Sequence, residues 1–247
     1  MSKRDFGQES MMHRLPSAPL VPRIDWLVGR AAGHRVAHVG FVDTGCEEMQ
    51  GQAGTWLHGH LARTAKSLVG LDVDSVGVET ARARGLEAYE VDCRRPDAVR
   101  ALGLEPADVV IAGEVIEHLD DPGAFLDGLH ELCAPGGVLI LTTPNPTGLL
   151  NTFALLAGYE INHPDHVVMF TWRTLTNLMR RHRWETVETH TFVPEPKLDS
   201  RGLRGGMLAM GARFVLWLER TLARFGRSFA ADGLIVVARP VATPPPD

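Results

Sequence analysis

Short apolar runs that alternate with helix-forming segments constrain this fold more than any other feature of the sequence. The run Val109–Ala112 is too short for a helix and has no polar residue, which is typical of a strand covered on both faces. Strands that alternate with helices indicate a parallel sheet with helices on both sides, so we predict an α/β fold. The predicted strands comprise residues 36–40, 68–72, 86–91, 108–112, 138–143, 184–193 and 234–238.

The domain prediction follows from changes in composition along the chain. Residues 1–22 are polar and contain Pro16 and Pro19, so we expect a flexible arm. Residues 23–240 should form one domain, with a helical insertion at 200–230 before the last strand. Residues 241–247 are rich in proline and are predicted to be a disordered tail.

Composition excludes several classes of protein. The net charge is -5, which argues against a dedicated nucleic-acid binder with a basic face. The three cysteines form no CxxC pair, so neither a disulfide framework nor a cysteine zinc site is expected, and a reducing cytoplasm fits. No run of about 18 apolar residues exists, so we expect no transmembrane segment.

Three polar side chains follow the predicted strand at 108–112. Glu114, Glu117 and His118 recur at i, i+3 and i+4, so in a helix they would share one face. Open α/β sheets bind their ligands at the carboxyl ends of parallel strands. We therefore predict that a helix carries these groups into a binding site.

Two motifs together resemble class I S-adenosylmethionine-dependent methyltransferases. They are Asp108–Leu119 and Ala134–Pro146, in the order and spacing of that family's fourth-strand and fifth-strand signatures. The resemblance implies S-adenosylmethionine as the cofactor. It also implies a Rossmann-like, doubly wound seven-stranded sheet whose antiparallel last strand would be Leu234–Ala238.

The same resemblance assigns the cofactor contacts. Gly40 would allow close approach of the cofactor, Asp72 would accept hydrogen bonds from the ribose, and Glu114 would face the methionine end. The full implied set is Gly40, Phe41, Val42, Asp72, Val73, Asp92, Cys93 and Glu114, with Asp92 and Cys93 at the adenine.

The first loop departs from the family pattern. His38 occupies the usual acidic position, and the run from Gly40 to Gly45 keeps only its first glycine in register. Asp43 is a candidate to supply the missing polar contact, and His58 and His60 either face the cofactor or pack in the domain. The altered loop keeps open the alternative of a methyltransferase-like binding protein without catalysis.

A looser resemblance connects the chain to bacterial methyltransferases of surface-glycan and natural-product gene sets. The shared elements are His38-Val-Gly40, Trp56-Leu-His58 and the segment Asn162–Thr171. They imply a small-molecule acceptor. Methylation of a hydroxyl needs a base near pKa 7, for which His118 and His166 are the candidates and His163 is a weaker one.

The acidic and histidine motif is also similar to that of small-RNA 3′-terminal 2′-O-methyltransferases, and related spacing occurs in O-methyltransferases of ubiquinone biosynthesis. That resemblance implies a divalent cation, Mg²⁺ or Mn²⁺, held by Glu114, Glu117, His118 and His166. The corresponding alternative function is a metal-dependent 2′-O-methyltransferase acting on a terminal ribose. Without a metal, His118 would line the site or act as the base.

The segment 203–225 combines a broad apolar face with four arginines. It could be a lid over an apolar acceptor, a homodimer interface, or a basic amphipathic helix on a membrane surface. Packing against the edge of the domain's own sheet is the fourth alternative, and the sequence leaves all four open.

Overall fold

A computed structural model describes residues 14–42, 56–194 and 202–242. The strands are β1 (Arg35–Val39), β2 (Ser67–Asp72), β3 (Ala88–Glu90), β4 (Ala107–Gly113), β5 (Cys133–Pro144), β6 (Trp184–Phe192) and β7 (Gly233–Pro240). The helices are α1 (Arg23–Ala31), α2 (Leu57–Leu61), α3 (Ser75–Ala83), α4 (Pro96–Ala101), α5 (Pro122–His130), α6 (Leu149–Leu156), α7 (Trp172–Arg181) and α8 (Gly202–Arg224). Single 3₁₀ turns span Ile116–His118 and Ser228–Ala230.

All seven strands belong to one sheet, in the order β3-β2-β1-β4-β5-β7-β6. The pairs from β3 to β5 are parallel, whereas β7 runs antiparallel to both of its neighbours, β5 and β6. This arrangement confirms the predicted α/β class, the seven strands and the antiparallel last strand.

Helices cover both faces of the sheet, as the apolar strands predict. On one face, Val110 of β4 packs in a cluster with Phe125 of α5 and Leu175 of α7. On the other face, Ile111 of β4 packs in a cluster with Leu27 of α1 and Leu61 of α2. Because successive strand residues point to opposite faces, both faces of β4 require apolar side chains.

The sequence pattern of residues 56–68 predicts one helix, which is shorter in the structure, and the helix α6 was not predicted. The helix predicted at 56–68 ends at Leu61, because the Thr64 carbonyl and the Lys66 amide pair with Gly33 and His34 and turn the chain into β2. Helix α6 lies in a region for which we predicted no regular structure. The long insertion does form a helix, α8, between β6 and β7.

The described part of the N-terminal arm forms hydrogen bonds with the sheet. The Val21 amide donates to the Thr191 carbonyl, and the Thr191 amide donates to the Pro19 carbonyl, so this segment pairs with the outer edge of β6. Ala18 is buried. The flexibility of the arm stays a prediction, and residues 1–13 and the tail at 243–247 lie outside the described residues.

The segment after β4 is not the predicted helix. Glu114 has a φ of 56°, which lies in the left-handed region, and its amide donates to the Thr142 carbonyl of β5. A single 3₁₀ turn at Ile116–His118 follows. Glu114, Glu117 and His118 consequently do not share one helix face.

Among the described residues, no helix is long and apolar enough to cross a membrane.

Candidate functional site

The carboxyl ends of four neighbouring strands bring four predicted residues to one edge of the sheet. Along that edge, Asp92 follows β3, Asp72 ends β2, Gly40 follows β1 and Glu114 follows β4. Strand order reverses between β1 and β4, and such a switch point opens a crevice at the carboxyl edge. With strands about 4.8 Å apart, the four ends span about 14 Å.

Gly40 is required by the fold before any ligand is considered. Its φ is 69°, which an L side chain rarely adopts, and a Cβ atom there would overlap the Val115 side chain. The Gly40 amide donates to the Leu71 carbonyl of the neighbouring strand. The glycine thus lets the Val115 side chain pack directly on the backbone at the switch point.

Asp72 is fixed by backbone amides and still has acceptor capacity. Its Oδ2 accepts from the Val42 amide at 2.9 Å, and its Oδ1 accepts from the Asp74 amide at 3.0 Å. Burial raises the pKa of this carboxyl, although these hydrogen bonds oppose the shift. The Val73 amide also binds this carboxylate, whose oxygens carry two lone pairs each, so capacity for one further hydrogen bond remains. The Val73 side chain beside it is 65% exposed.

Three of the predicted cofactor residues turn their side chains into the protein. Phe41 is buried against Gly70, the Cys93 side chain is buried, and Val42 packs on Gly77. The Phe41 carbonyl already accepts from Trp56 Nε1 at 2.9 Å. These residues can therefore offer a ligand mainly their backbone atoms.

The Asp92 carboxylate forms an ion pair with the guanidinium of Arg94. Arg94 donates through Nη2 to Asp92 Oδ2 at 2.9 Å and also binds Asp120 in the loop after β4. The Arg94 guanidinium holds the pKa of Asp92 below its usual range. This contact links the loops after β3 and β4 at the predicted adenine end of the crevice.

Glu114 belongs to a hydrogen-bonded chain that the sequence did not reveal. Thr142 Oγ1 donates to Glu114 Oε1 at 2.9 Å and accepts from Arg23 Nε at 3.2 Å. A Cβ at Gly113 would lie 2.8 Å from Arg23 Nη2, so the guanidinium covers the end of β4. A carboxylate and a guanidinium thus lie together at the middle of the crevice.

Glu117 is fully buried and forms hydrogen bonds that connect β5 with the loop before α7. Its Oε2 accepts from Thr143 Oγ1 at 3.0 Å, and its carbonyl accepts from the Val167 and Val168 amides. Burial and the nearby Glu114 carboxylate raise the pKa of Glu117. The carbonyl contacts hold the loop that carries His166 next to the 3₁₀ turn that carries His118.

Three histidines meet at this junction. The ring centroids of His118 and His166 are 4.6 Å apart, those of His118 and His163 are 5.8 Å apart, and the rings are edge-on. His166 Nδ1 is 2.6 Å from Asn162 Oδ1, which fixes the orientation of the ring. Burial and the neighbouring histidines lower the pKa of His166. The structure therefore brings together the two predicted bases and the weaker third candidate.

Two cavities share Glu114 as a wall. A cavity of about 1000 Å³ lies towards Arg23, Phe192 and the α8 residues Arg220 and Arg224. A smaller one of about 200 Å³ is lined by His163, His166, Asn151, Asp232 and a ring of apolar side chains. Glu114 can therefore face one group on each side.

Some functional candidates could not be found in the sequence. Arg23 follows a proline at the start of α1, and nothing local indicates that its side chain reaches the end of β4. The polar pair Thr142 and Thr143 in the buried strand β5 was an available signal.

The histidines near the first loop pack inside the protein. His38 and His58 are both buried, with their Nδ1 atoms 3.2 Å apart and their rings stacked. Burial lowers the pKa of both, so they are neutral packing groups. The packing alternative thus describes His58. Asp43 lies outside the described residues.

Comparison with known families and proteins gives a consistent result. The family model described as "Methyltransferase domain" matches residues 41–189, which is more than half of the chain. A ubiquinone biosynthesis O-methyltransferase of Parvibaculum lavamentivorans is 32% identical over 121 residues, which cover 48% of this chain and 45% of that protein. The chain thus spans about half the length of the first curated relatives that it matches.

A second relative and a solved structure extend the comparison. The ubiquinone biosynthesis O-methyltransferase of Ruegeria pomeroyi is 28% identical over 191 residues, covering 70% of this chain and 75% of the relative. The crystal structure of an S-adenosylmethionine-dependent methyltransferase from Mesorhizobium loti superposes with a TM-score of 0.50 at 18% identity. That superposition covers 88% of this chain and 96% of the other. The structural likeness concerns the fold.

Proposed function

Because this chain belongs to the methyltransferase domain family, we propose that it transfers the methyl group of S-adenosylmethionine to a hydroxyl oxygen of a small-molecule acceptor. The observation that carries the proposal is the position of Glu114, which lies at the switch point and lines both cavities. Glu114 can therefore contact the cofactor from one cavity and the acceptor from the other.

The carboxyl edge fits the shape of the cofactor. The Asp72 carboxylate keeps acceptor capacity beside its backbone contacts, which suits the ribose hydroxyls. Val73, exposed beside Asp72, offers an apolar surface for the adenine. Arg94 already contacts both oxygens of Asp92. Asp92 would therefore bind the adenine only while it keeps its ion pair with Arg94.

The charges at the end of β4 suit the amino-acid end of the cofactor. Glu114 can accept a hydrogen bond from the ammonium of the cofactor's methionine moiety, and Arg23 can donate one to the carboxylate of that moiety. Thr142 holds the Glu114 and Arg23 side chains next to each other. Hydrogen bonds to charged groups are about twice as strong as neutral ones, so this pair orients the cofactor.

The histidines supply the proton acceptor for an oxygen nucleophile. The sulfonium of S-adenosylmethionine provides an electrophilic methyl group. As the acceptor oxygen bonds to that methyl, the methyl–sulfur bond breaks and S-adenosylhomocysteine leaves, while the proton of the acceptor hydroxyl passes to an imidazole nitrogen of His118 or His166. His166 lines the same cavity as Glu114, and its lowered pKa keeps it neutral near pH 7.

The relatives support oxygen as the methylated atom, because those named here are called O-methyltransferases. The buried free cysteines Cys93 and Cys133 are compatible with the cytoplasmic location predicted from the sequence, which remains a proposal.

A divalent cation is a second proposal with its own observation. Ligand atoms of His118, His163 and His166 all lie within 4.8 Å of one another. Within the described residues, this group does not include the predicted ligands Glu114 and Glu117. An all-imidazole set favours Mn²⁺ or Zn²⁺ over Mg²⁺, and a bound cation would polarise a hydroxyl placed next to it. The alternative of 2′-O-methylation of a terminal ribose depends on this cation.

Titration with MnCl₂ or ZnCl₂ alone tests the metal proposal. We expect one ion per chain by elemental analysis after desalting, and His163→Ala should lose it. The exposed His34→Ala is the matched control and should keep it. Equal metal content in wild type and His163→Ala would remove the cation from the account.

Calorimetry with S-adenosylmethionine distinguishes an enzyme from a methyltransferase-like protein that no longer binds the cofactor. We expect binding by the wild type, and Asp72→Asn should bind about tenfold to a hundredfold more weakly, because a charged acceptor is lost. Asp97→Asn, an exposed change in α4, is the control. No heat with the wild-type chain would contradict the proposed function.

A further inference from the structure

One side of α8 exposes large apolar side chains to solvent. Met210, Phe214 and Trp217 are 68%, 58% and 57% exposed. They are spaced i, i+4 and i+7, so they lie on one side of the helix. Phe225, directly after α8, is 77% exposed. We refer to Met210, Phe214 and Trp217 as the exposed stripe.

The opposite side of α8 anchors the helix to the domain. Val215, Leu216 and Glu219 are buried, and the Leu150 amide at the start of α6 donates to Glu219 Oε1. The domain therefore covers one side of α8, chiefly through α6 and the 3₁₀ turn Ser228–Ala230 rather than through the edge of the sheet. Packing against the domain's own sheet does not account for the exposed stripe.

Among the described side chains of α8, the exposed charged ones next to the stripe are arginines. Arg213, Arg220 and Arg224 are exposed and lie on the helix sector beside the stripe. Within the described part of α8, the acidic residue is Glu219, which is buried on the other side. The whole chain has a net charge of -5, so this basic side is a local feature opposite in sign to the molecule.

We propose that the exposed stripe and its arginines bind the surface of an anionic phospholipid bilayer, with α8 lying in the plane of the membrane. Apolar and aromatic side chains next to arginines match the two layers that an interfacial helix meets, the acyl boundary and the charged headgroups. The arginines also decide between a bilayer and a second copy of this chain. A twofold interface through the stripe would place the arginines of one copy near those of the other.

The position of the stripe relates the bilayer to the cavity. Arg220 and Arg224 also line the cavity of about 1000 Å³ beside Glu114. A bilayer bound along α8 would thus lie close to two of the side chains that line this cavity.

Vesicle sedimentation of the full chain tests the proposal without any acceptor. The probes are phosphatidylcholine vesicles with and without phosphatidylglycerol. We expect binding only to the anionic vesicles, weakened by added salt because exposed charges are screened. Arg213→Gln should lower the partition coefficient about fivefold, and Phe214→Ser with Trp217→Ser about tenfold or more.

The matched control is Val76→Ser, which removes a similarly exposed apolar side chain from α3 and should leave vesicle binding unchanged. Circular dichroism verifies that the variants are folded. Absence of binding, equal binding to neutral vesicles, or equal loss with Val76→Ser would overturn the proposal. A dimer in size-exclusion chromatography that Phe214→Ser with Trp217→Ser converts to a monomer would assign the stripe to a second copy instead.

Discussion

Arg23 shows how a side chain can reach the candidate site without any local sequence signature. It reaches from α1 to Thr142 of β5, and Thr142 in turn donates to Glu114. Arg23→Gln should weaken the affinity for S-adenosylmethionine about tenfold to a hundredfold, because the carboxylate loses a charged donor. Calorimetry measures this loss. Arg30→Gln, which removes a partner of Glu188 from the same helix, is the control. Equal affinities of Arg23→Gln and wild type would exclude the assigned contact.

His118 is the residue at which base catalysis can be tested. His118→Ala should slow methyl transfer by a factor of about 10²–10⁴ while the affinity for S-adenosylmethionine stays the same. The measurement is release of S-adenosylhomocysteine with an acceptor that the wild-type chain methylates. His34→Ala is the matched control. A near-wild-type rate for His118→Ala would shift the role to His166.

For single residues, the sequence predicts the position of those that directly follow a strand. It does not predict contacts between side chains of distant elements. Asp72, Gly40 and Glu114 were readable because each comes where an apolar strand ends. Arg23 and Thr142 could not be read in this way. Their meeting depends on how α1 packs on the sheet and which face of β5 carries Thr142. The spacing of Glu114, Glu117 and His118 predicted a helix that the left-handed residue at 114 prevents.

At the scale of elements, a pair of buried carboxyls joins α8, α6 and β7. Glu219 lies beside Asp232, which accepts from the Leu150 amide at 3.1 Å and Asn151 Nδ2 at 3.1 Å. Burial, followed by the interaction with Asp232, raises the pKa of Glu219 above its ordinary value of 4.5. Burial raises that of Asp232 as well.

The raised pKa fixes the sign of a pH effect on stability. Between pH 4.5 and the folded-state pKa, the folded chain binds more protons than the unfolded chain at Glu219. The free energy of unfolding should therefore fall as the pH rises through that window, and Glu219→Gln should fall less steeply. Urea unfolding at several pH values from about 5 to about 8 measures both slopes. The exposed Glu185→Gln is the control, and identical slopes for wild type and Glu219→Gln would contradict the assignment.

Close packing of α5 against the loop after β3 makes a second prediction for an element. A Cβ at Gly128 would overlap the Cys93 carbonyl oxygen, so Gly128→Ala should lower the free energy of unfolding by about 1–3 kcal/mol. Gly29 in α1 has open space around it, and Gly29→Ala should stabilise the helix by about 0.5–1 kcal/mol. Urea unfolding compares the two, and equal effects would refute the packing argument.

For the whole molecule, the alternation of apolar runs and helices predicted the parallel sheet covered on both faces, whereas the antiparallel last strand was implied by the family resemblance. The sequence could not decide what 203–225 does. Its apolar residues are distributed around the helix, and only the packing of Val215 and Leu216 shows which side stays exposed. The acceptor is determined by cavity walls drawn from distant segments, so local motifs do not specify it.

The crystal structure of the complex with S-adenosylhomocysteine tests the central claim most directly. The account predicts the ribose on Asp72, the amino-acid end between Glu114 and Arg23, and the sulfur turned towards the cavity lined by His166. A ligand bound away from the carboxyl edge of β1, β2 and β4, or a sulfur turned away from that cavity, would contradict it.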